Sequence, residues 1–433
     1  MTIQHKKVFV RRALGCLLLL ITVLLVLEKS ELLPASFHLQ AATREAWIRV
    51  SKNHRHDDKP KPRRSEKKVR QMADRWYEEL LAKHPEMAVT YKDVPDAENG
   101  FLKLLDFMDR YRNGDMLPDD IKNIINGSNT WDPTRFAAWL EENRELMDEI
   151  TAIGLLPGQS VKGIDFDRYK FVNARLPSQA SQLLLSQARL AMEKGDETSA
   201  LTSVRAVAGL ANHMDGVETP SLLCETVSVL LRLNNWKFAT ENLSSGGDTS
   251  AADLATWREA LGVGAASPAD LAHVFRGDWH IMARGYLLPQ MLGGNLELLG
   301  EKDVKIPDPD ALVESHISYF AEVISKMRAS SLSGLTRLSM DPPTSHLSPE
   351  STEVIGVLFT GSSAWSKGWI RGQCEGALVE AAFAAAMGEE ILMEPLTGKP
   401  FVFDQEAGTL AMPDDPILKE MGFKPVKVPK VAE

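Results

Sequence analysis

Cysteine is nearly absent from this chain: 433 residues carry three, Cys16, Cys224 and Cys374. That excludes a disulfide-framed scaffold and a cysteine-rich zinc module, and leaves at most one bridge in the body, between Cys224 and Cys374. Both body cysteines fall in register with apolar neighbours, Cys224 with Val227 and Leu231, Cys374 with Ile370, Leu378 and Ala381. They therefore read as small core residues. Charge is also unevenly spread. The net charge is −10, although Lys52 to Arg70 holds nine lysines and arginines against Asp57, Asp58 and Glu66. A body that acidic is not expected to bind nucleic acid. Phosphate-loop, dinucleotide, HExxH, CxxC and GxSxG signatures are missing. Gly262-Val263-Gly264 and Thr397-Gly398-Lys399-Pro400 are turns, because neither continues into a phosphate-cradling helix start.

Long apolar runs are missing as well, with one exception. Ala13 to Leu27 is uninterrupted, follows Lys6, Lys7, Arg11 and Arg12, and stops at Glu28-Lys29. Fifteen residues fall short of the ~20 that cross a bilayer core untilted and match a signal-peptide core, but no A-x-A pattern follows closely. The expectation is an uncleaved single-pass anchor. The basic flank places residues 1–12 in the cytoplasm, 13–27 in the cytoplasmic (inner) membrane and the rest outside it. Cys16 precedes the run where a lipoprotein cysteine would follow it, and the Arg11-Arg12 pair lacks the surroundings of a twin-arginine signal.

Residues 28–65 form a basic linker whose Lys59-Pro60-Lys61-Pro62-Arg63-Arg64 segment has nothing apolar to bury. It is a solvated spacer or a contact for anionic headgroups. His54, His56, Asp57 and Asp58 have metal-ligand chemistry, but a cationic, unstructured setting repels a metal ion. Ser65-Glu66-Lys67-Lys68 has an S-x-x-K spacing with no pocket to desolvate the lysine.

From 66 to 330 the apolar residues recur at helical spacing. Val69, Met72, Trp76 and Leu80 form one stripe, and Phe101, Leu104, Leu105 and Met108 another. Asp132-Pro133, Thr219-Pro220 and Asp308-Pro309 each place a cap before a proline at the first helical position. The Asp132 cap opens a face running from Phe136 and Trp139 through Met147 and Ile150 to Ile153, closed by Gly154. Such openings do not fit a β architecture. Leu184, Ala188, Ala191, Gly195-Asp196, Ala200, Val204 and Val207 describe two helices joined by a tight glycine turn, the spacing of a tetratricopeptide (TPR) hairpin. A second copy near Leu231 to Leu243 is poorly formed, so an irregular helical-hairpin domain is expected.

The run from Leu176-Pro177 through Gln182-Leu183-Leu184-Leu185, Ala188-Arg189-Leu190-Ala191, Glu193-Lys194-Gly195-Asp196 and Ala200-Leu201 to Pro220-Ser221-Leu222-Leu223 resembles the central hairpin of an uncharacterised family of bacterial membrane-anchored helical proteins. Glu394-Pro395-Leu396-Thr397-Gly398-Lys399-Pro400-Phe401-Val402-Phe403 is similar to that family's C-terminal D-P-x-T-G-K-P turn and aromatic strand, with glutamate for the usual aspartate. The resemblance implies the architecture and brings no activity and no functional residue.

Residues 331–362 are rich in Ser, Thr and Pro and read as a linker. The unit 363–433 then reads as a helix from Trp369 to Met387, a small β-hairpin flanking Gly408, and an end from Lys424 onward expected to fray. Overall the fold class is mainly α, with one N-terminal transmembrane helix and a small C-terminal helix-plus-hairpin unit.

No catalytic, cofactor-binding or metal residue is expected, and the balance leans away from an enzyme. The strongest catalytic alternative is an extracytoplasmic hydrolase using His273, Asp278 and His280, with Gly277 breaking the helix so that an acid and two imidazoles meet at one mouth. A capped helix junction with Trp279 in the core explains the same residues. His316 sits beside Val313, Ile317 and Phe320 and reads as a buried histidine. Trp76, Trp139 and Trp257 read as core, while Trp365 and Trp369 are candidates for a recognition surface or a packed lid. The leading expectation is a membrane-anchored scaffold that binds a protein or peptide. Envelope-surface binding through the basic linker is a weaker one.

Overall fold

A computed structural model describes residues 66–111, 116–126, 130–170, 172–244, 250–262, 267–292, 308–338, 348, 351 and 362–431. The apolar run 13–27 and the basic linker with His54, His56, Asp57, Asp58 and Ser65 lie outside the described residues, as does most of 331–362. Among the described residues no helix is long and apolar enough to cross a membrane.

The described chain is mainly α-helical. It opens with α1 (Glu66–Lys83), α2 (Gly100–Arg110), α3 (Asp119–Ile125), α4 (Pro133–Glu142) and α5 (Arg144–Gly154). A hairpin follows, α6 (Arg175–Glu193) and α7 (Glu197–Asp215), then α8 (Leu222–Leu243), α9 (Ala251–Leu261) and α10 (Pro268–Met282). A π-helical turn at Ala283–Leu287 extends α10, and α11 (Pro309–Ala329), α12 (Ser362–Met387) and α13 (Pro416–Met421) follow, with shorter helical turns at Pro85–Met87, Phe166–Tyr169, Leu288–Leu292 and Leu332–Leu335 between them. A three-stranded antiparallel sheet, β1 (Val402–Asp404), β2 (Thr409–Ala411) and β3 (Val426–Lys427), lies late in the chain in the order β1-β2-β3.

Local chemistry sets the helix starts. Asp132 accepts the Arg135 N–H at 2.9 Å and Asp308 the Ala311 N–H at 3.1 Å, each ahead of a proline at the first helical position. The Thr219-Pro220 cap is displaced by two residues: Ser221 is the cap of α8, accepting the Cys224 N–H at 3.1 Å, because its hydroxyl reaches the donor three residues on. Ser250 and Ser267 each form a capping box with an aspartate, opening α9 and α10. The face running from Phe136 to Ile153 is shared by two helices, since Asn143 leaves helical geometry (φ −117°) and turns its Nδ2 onto the Trp139 carbonyl at 2.9 Å.

The glycine turn is present: Gly195 adopts φ +73° between α6 and α7, a conformation that favours glycine. The poorly formed second copy is no hairpin, because 231–243 continues as the second half of α8. At α1 the buried stripe is Ala73, Tyr77 and Leu80, one position round from the expected one, and Met72 is exposed.

Among the described residues three large apolar clusters stand out, beside a small one of Leu378, Ala381 and Leu410. One joins α2–α5 with the α6–α7 hairpin and the start of α8; one joins α1, α10, α11 and the first half of α12; one joins α6–α9 with Val379 and Phe383 of α12. Helix α8 contributes to all three large clusters and is buried along most of its length, polar residues included. The turn at 394–400 is held by Glu394, fully buried, whose carboxylate accepts the Leu396 and Thr397 N–H groups at 2.9 and 2.7 Å and the Thr397 hydroxyl at 2.7 Å. The hairpin pairs Phe403 with Leu410. Residues 426–430 are tied down: Val426 pairs with Leu410, the Val428 N–H donates to the Gly408 carbonyl at 3.0 Å, and the Lys430 N–H reaches the Leu243 carbonyl at 3.4 Å.

Candidate functional site

On α8, Glu225, Ser228 and Arg232 stand at i, i+3 and i+7, so helical geometry aligns them as one polar stripe on a largely buried helix. The end of α7 approaches that stripe. The Ser228 hydroxyl donates to Asp215 Oδ2 at 2.8 Å, and Arg232 Nη1 donates to the same oxygen and to Ser228 Oγ, the latter at 2.7 Å. Arg232 Nη2 donates to Asn212 Oδ1 at 2.8 Å. From α12, Trp369 Nε1 donates to Glu225 Oε1 at 2.9 Å, and Trp365 Nε1 to the Thr226 hydroxyl at 2.9 Å.

Asp215, Glu225, Arg232 and Trp369 border a cavity of about 440 Å³. Asp215 and Gly216 of the α7 end, Glu225, Val229, Arg232 and Trp236 of α8, and Gly262 after α9 line it, with Asp270, His273 and Val274 of α10 and Trp369, Gly372 and Gln373 of α12 opposite. The volume is that of a small-ligand or single-side-chain pocket. Two tight helix contacts keep α12 close: a methyl group on Gly372 would press on Val229 Cγ1 at 2.8 Å, and one on Gly376 on Trp236 Cη2 at 2.8 Å.

Burial and charge make the lining uneven. Glu225 is 5% exposed. Burial pushes its carboxyl up, Asp215 and Asp270 push it further, and Arg232 and the Trp369 hydrogen bond pull it back, leaving it raised to about 8. At neutral pH this carboxyl holds its proton. Burial pulls the Arg232 guanidinium down, but Asp215 beside it more than restores it, so Arg232 stays charged. Asp270 is partly committed already, its Oδ2 accepting the Ser267 N–H at 2.7 Å in the α10 capping box.

The three residues of the hydrolase expectation are not brought to one mouth. His273 lines the cavity, with Nε2 2.8 Å from the Val217 carbonyl and Nδ1 3.3 Å from Arg276 Nη2, and burial lowers its pKa. Asp278 accepts the Leu222 N–H at 3.0 Å and is pushed up to about 6 by burial. His280 stands two turns from His273, roughly 10 Å along the axis. Its Nε2 lies 2.8 Å from the Met87 carbonyl and its Nδ1 receives the Tyr77 hydroxyl; burial lowers it to about 3. Neither Asp278 nor His280 lines the cavity. Gly277 does not break α10, which runs through it to Met282; the missing side chain lets the helix touch Pro220, whose nitrogen would sit 2.6 Å from an added Cβ.

His316 is buried and lowered to about 3 by burial alone. Cys224 and Cys374 are both buried free thiols, so no bridge joins them. Trp369 is buried against Glu225, while Trp365 is partly covered against Phe275, their centroids or rings 5.6 Å apart. Glu225 and Arg232 were not singled out from the sequence. The available signal was their spacing: an acid and a base seven residues, two helical turns, apart within Leu222 to Trp236, with Ser228 between them on the same face.

Among the described residues no group of three or more His, Cys, Asp or Glu is placed to hold a metal ion. No protein-family model, no curated protein and no solved structure matches the chain.

Proposed function

We propose that this chain is a membrane-anchored binding protein, its helical body carried outside the cytoplasm by the segment 13–27 and engaging a protein or peptide partner at the α8–α12 cavity. The observation that carries it is the pair Glu225 and Arg232, which the central helix α8 turns into a cavity of about 440 Å³ while Ser228 between them holds Asp215. Charged groups in such a place cost stability relative to apolar ones of similar size, so their placement favours recognition over packing. The resemblance to membrane-anchored, TPR-like helical proteins agrees with this role. The hydrolase alternative through His273, Asp278 and His280 has less support, because each of the three serves a separate backbone partner.

The test uses the full-length chain in its own membranes, with a photo-crosslinking amino acid at Gln373 on the cavity wall. The expected result is a discrete crosslinked peptide or protein that disappears when Val274→Trp fills the cavity while the thermal midpoint stays within a few degrees. Crosslinking that survives the filled cavity, or a full-length chain that washes off membranes intact, overturns the proposal.

A further inference from the structure

The cavity also says what chemistry its occupant presents. Three carboxyl groups line it, Asp215, Glu225 and Asp270, against the single guanidinium of Arg232. Arg232 is already committed to Asp215, Ser228 and Asn212, which leaves little for an incoming anion. His273 adds no positive charge, since burial lowers its pKa and Arg276 faces its Nδ1. Glu225 is different. It is more than nine-tenths buried and lines the cavity, and only its Oε1 has a hydrogen-bond partner among the described residues. Two indoles, Trp236 and Trp369, complete the wall, and aromatic faces attract organic cations.

We infer that the cavity takes a basic side chain of the bound partner, a lysine ammonium or an arginine guanidinium, with Glu225 Oε2 as its anionic contact and the tryptophans as its walls. The inference rests on the binding role proposed above. A cation arriving beside Glu225 displaces the proton that burial and the neighbouring carboxylates hold there, so binding releases that proton to solvent below about pH 8. The groups facing Glu225 are Asp215 from α7, Arg232 from its own helix, Asp270 and His273 from α10, and Trp369 and Gln373 from α12.

The probes are four blocked tripeptides, acetyl-Gly-X-Gly-amide with X as lysine, arginine, norleucine or glutamate, titrated calorimetrically into the full-length chain in detergent. Lysine or arginine peptide should bind at least tenfold more tightly than norleucine, and the glutamate peptide should not bind. Affinity should rise severalfold from pH 6.5 to 8, with a proton released that shows as a dependence of the heat on the buffer's ionisation enthalpy. Glu225→Gln should remove both the pH dependence and the proton release. The buffer measurement needs no variant, so it decides the matter even if that substitution perturbs folding. Equal binding of norleucine, preference for glutamate, or no proton release overturns the inference. If no basic peptide binds while the Gln373 crosslink still forms and is still lost on filling the cavity, the basic-ligand inference fails and the binding role stands; if both fail, both are wrong.

Discussion

Helix α7 meets its neighbours in two opposite ways. Midway along, it crosses α5 so closely that backbone touches backbone: a Cβ on Gly209 would fall inside the Gly154 carbonyl oxygen, and one on Gly154 inside the Ala206 carbonyl. At its C-terminal end, Asp215 and Gly216 border open volume and a row of charged groups. Packing to the limit of atomic radii fixes the first region, while the second keeps space and polarity that packing does not require. The contrast separates residues that hold the fold from residues that are free to act. Gly209→Ala should therefore have the largest effect. The clash is with backbone, which no rotamer change relieves, and the loss should exceed the ~1–3 kcal/mol usual for overpacking. A chemical-denaturation midpoint within error of the parent would show that α5 and α7 do not touch there.

Arg232→Met probes the other region and should come second. Removing the guanidinium strands the Asp215 carboxylate, which has Ser228 as its other partner. Breaking a buried pair costs ~3–5 kcal/mol. The lower end is expected, because Arg232 and Asp215 keep side-chain exposures of 23% and 16%. If the double variant Asp215→Asn with Arg232→Met recovers most of that loss, the pair is there for recognition rather than stability, and the contrast sharpens.

The same division explains what could be read from the sequence. The stripe Phe101, Leu104, Leu105 and Met108 is buried as its periodicity requires, and the proline-opened caps at Asp132 and Asp308 stand where expected, because both signals are local. Hairpin α6–α7 was legible through Gly195 for the same reason. The start of α8 was not, since Thr219 and Ser221 are equally good caps and only the packing of Pro220 against Gly277 selects the later one. The β3 pairing was also hidden: Val426-Lys427 has no periodicity of its own and is ordered by the edge that Thr409-Leu410 offers it. Glu225 was not legible because an acid among the polar positions of α8 looks exposed until α7, α10 and α12 close round it. The anchor 13–27 was legible as composition and lies outside the described residues.

Tyr77→Phe should have an intermediate effect. The Tyr77 hydroxyl satisfies His280 Nδ1 inside the cluster that joins α1 to α10. Deleting it leaves a buried acceptor without its partner, at a cost of ~1–3 kcal/mol. The measurement is the same denaturation midpoint, and it should be accompanied by faster hydrogen exchange in α1 if this hydrogen bond ties that helix down. An unchanged midpoint would move Tyr77 from the structural group into the dispensable one.

The smallest expected effect is in the pH profile, and it separates the two regions without disturbing either. His280 and His316 are lowered to about 3, and His213 and His273 are lowered too, all chiefly by burial. The unfolded chain therefore takes up protons before the native one, and stability falls as pH drops below about 6.5. Asp278 and Glu225 act in the other sense: raised in the native state, they hold protons that the unfolded chain has released, and their contribution is lost as pH rises. Asp278 completes this by about pH 6. Between pH 6.5 and 8 Glu225 is left as the main native proton carrier, so stability should decline there by up to ~1.4 kcal/mol per pH unit. Glu225→Gln cannot titrate, and should flatten that alkaline limb and steepen the acid limb above about pH 4.5, where the native Glu225 proton opposes the histidines. A decline of the same slope in the variant would place the titrating group elsewhere and remove Glu225 from the cavity's chemistry.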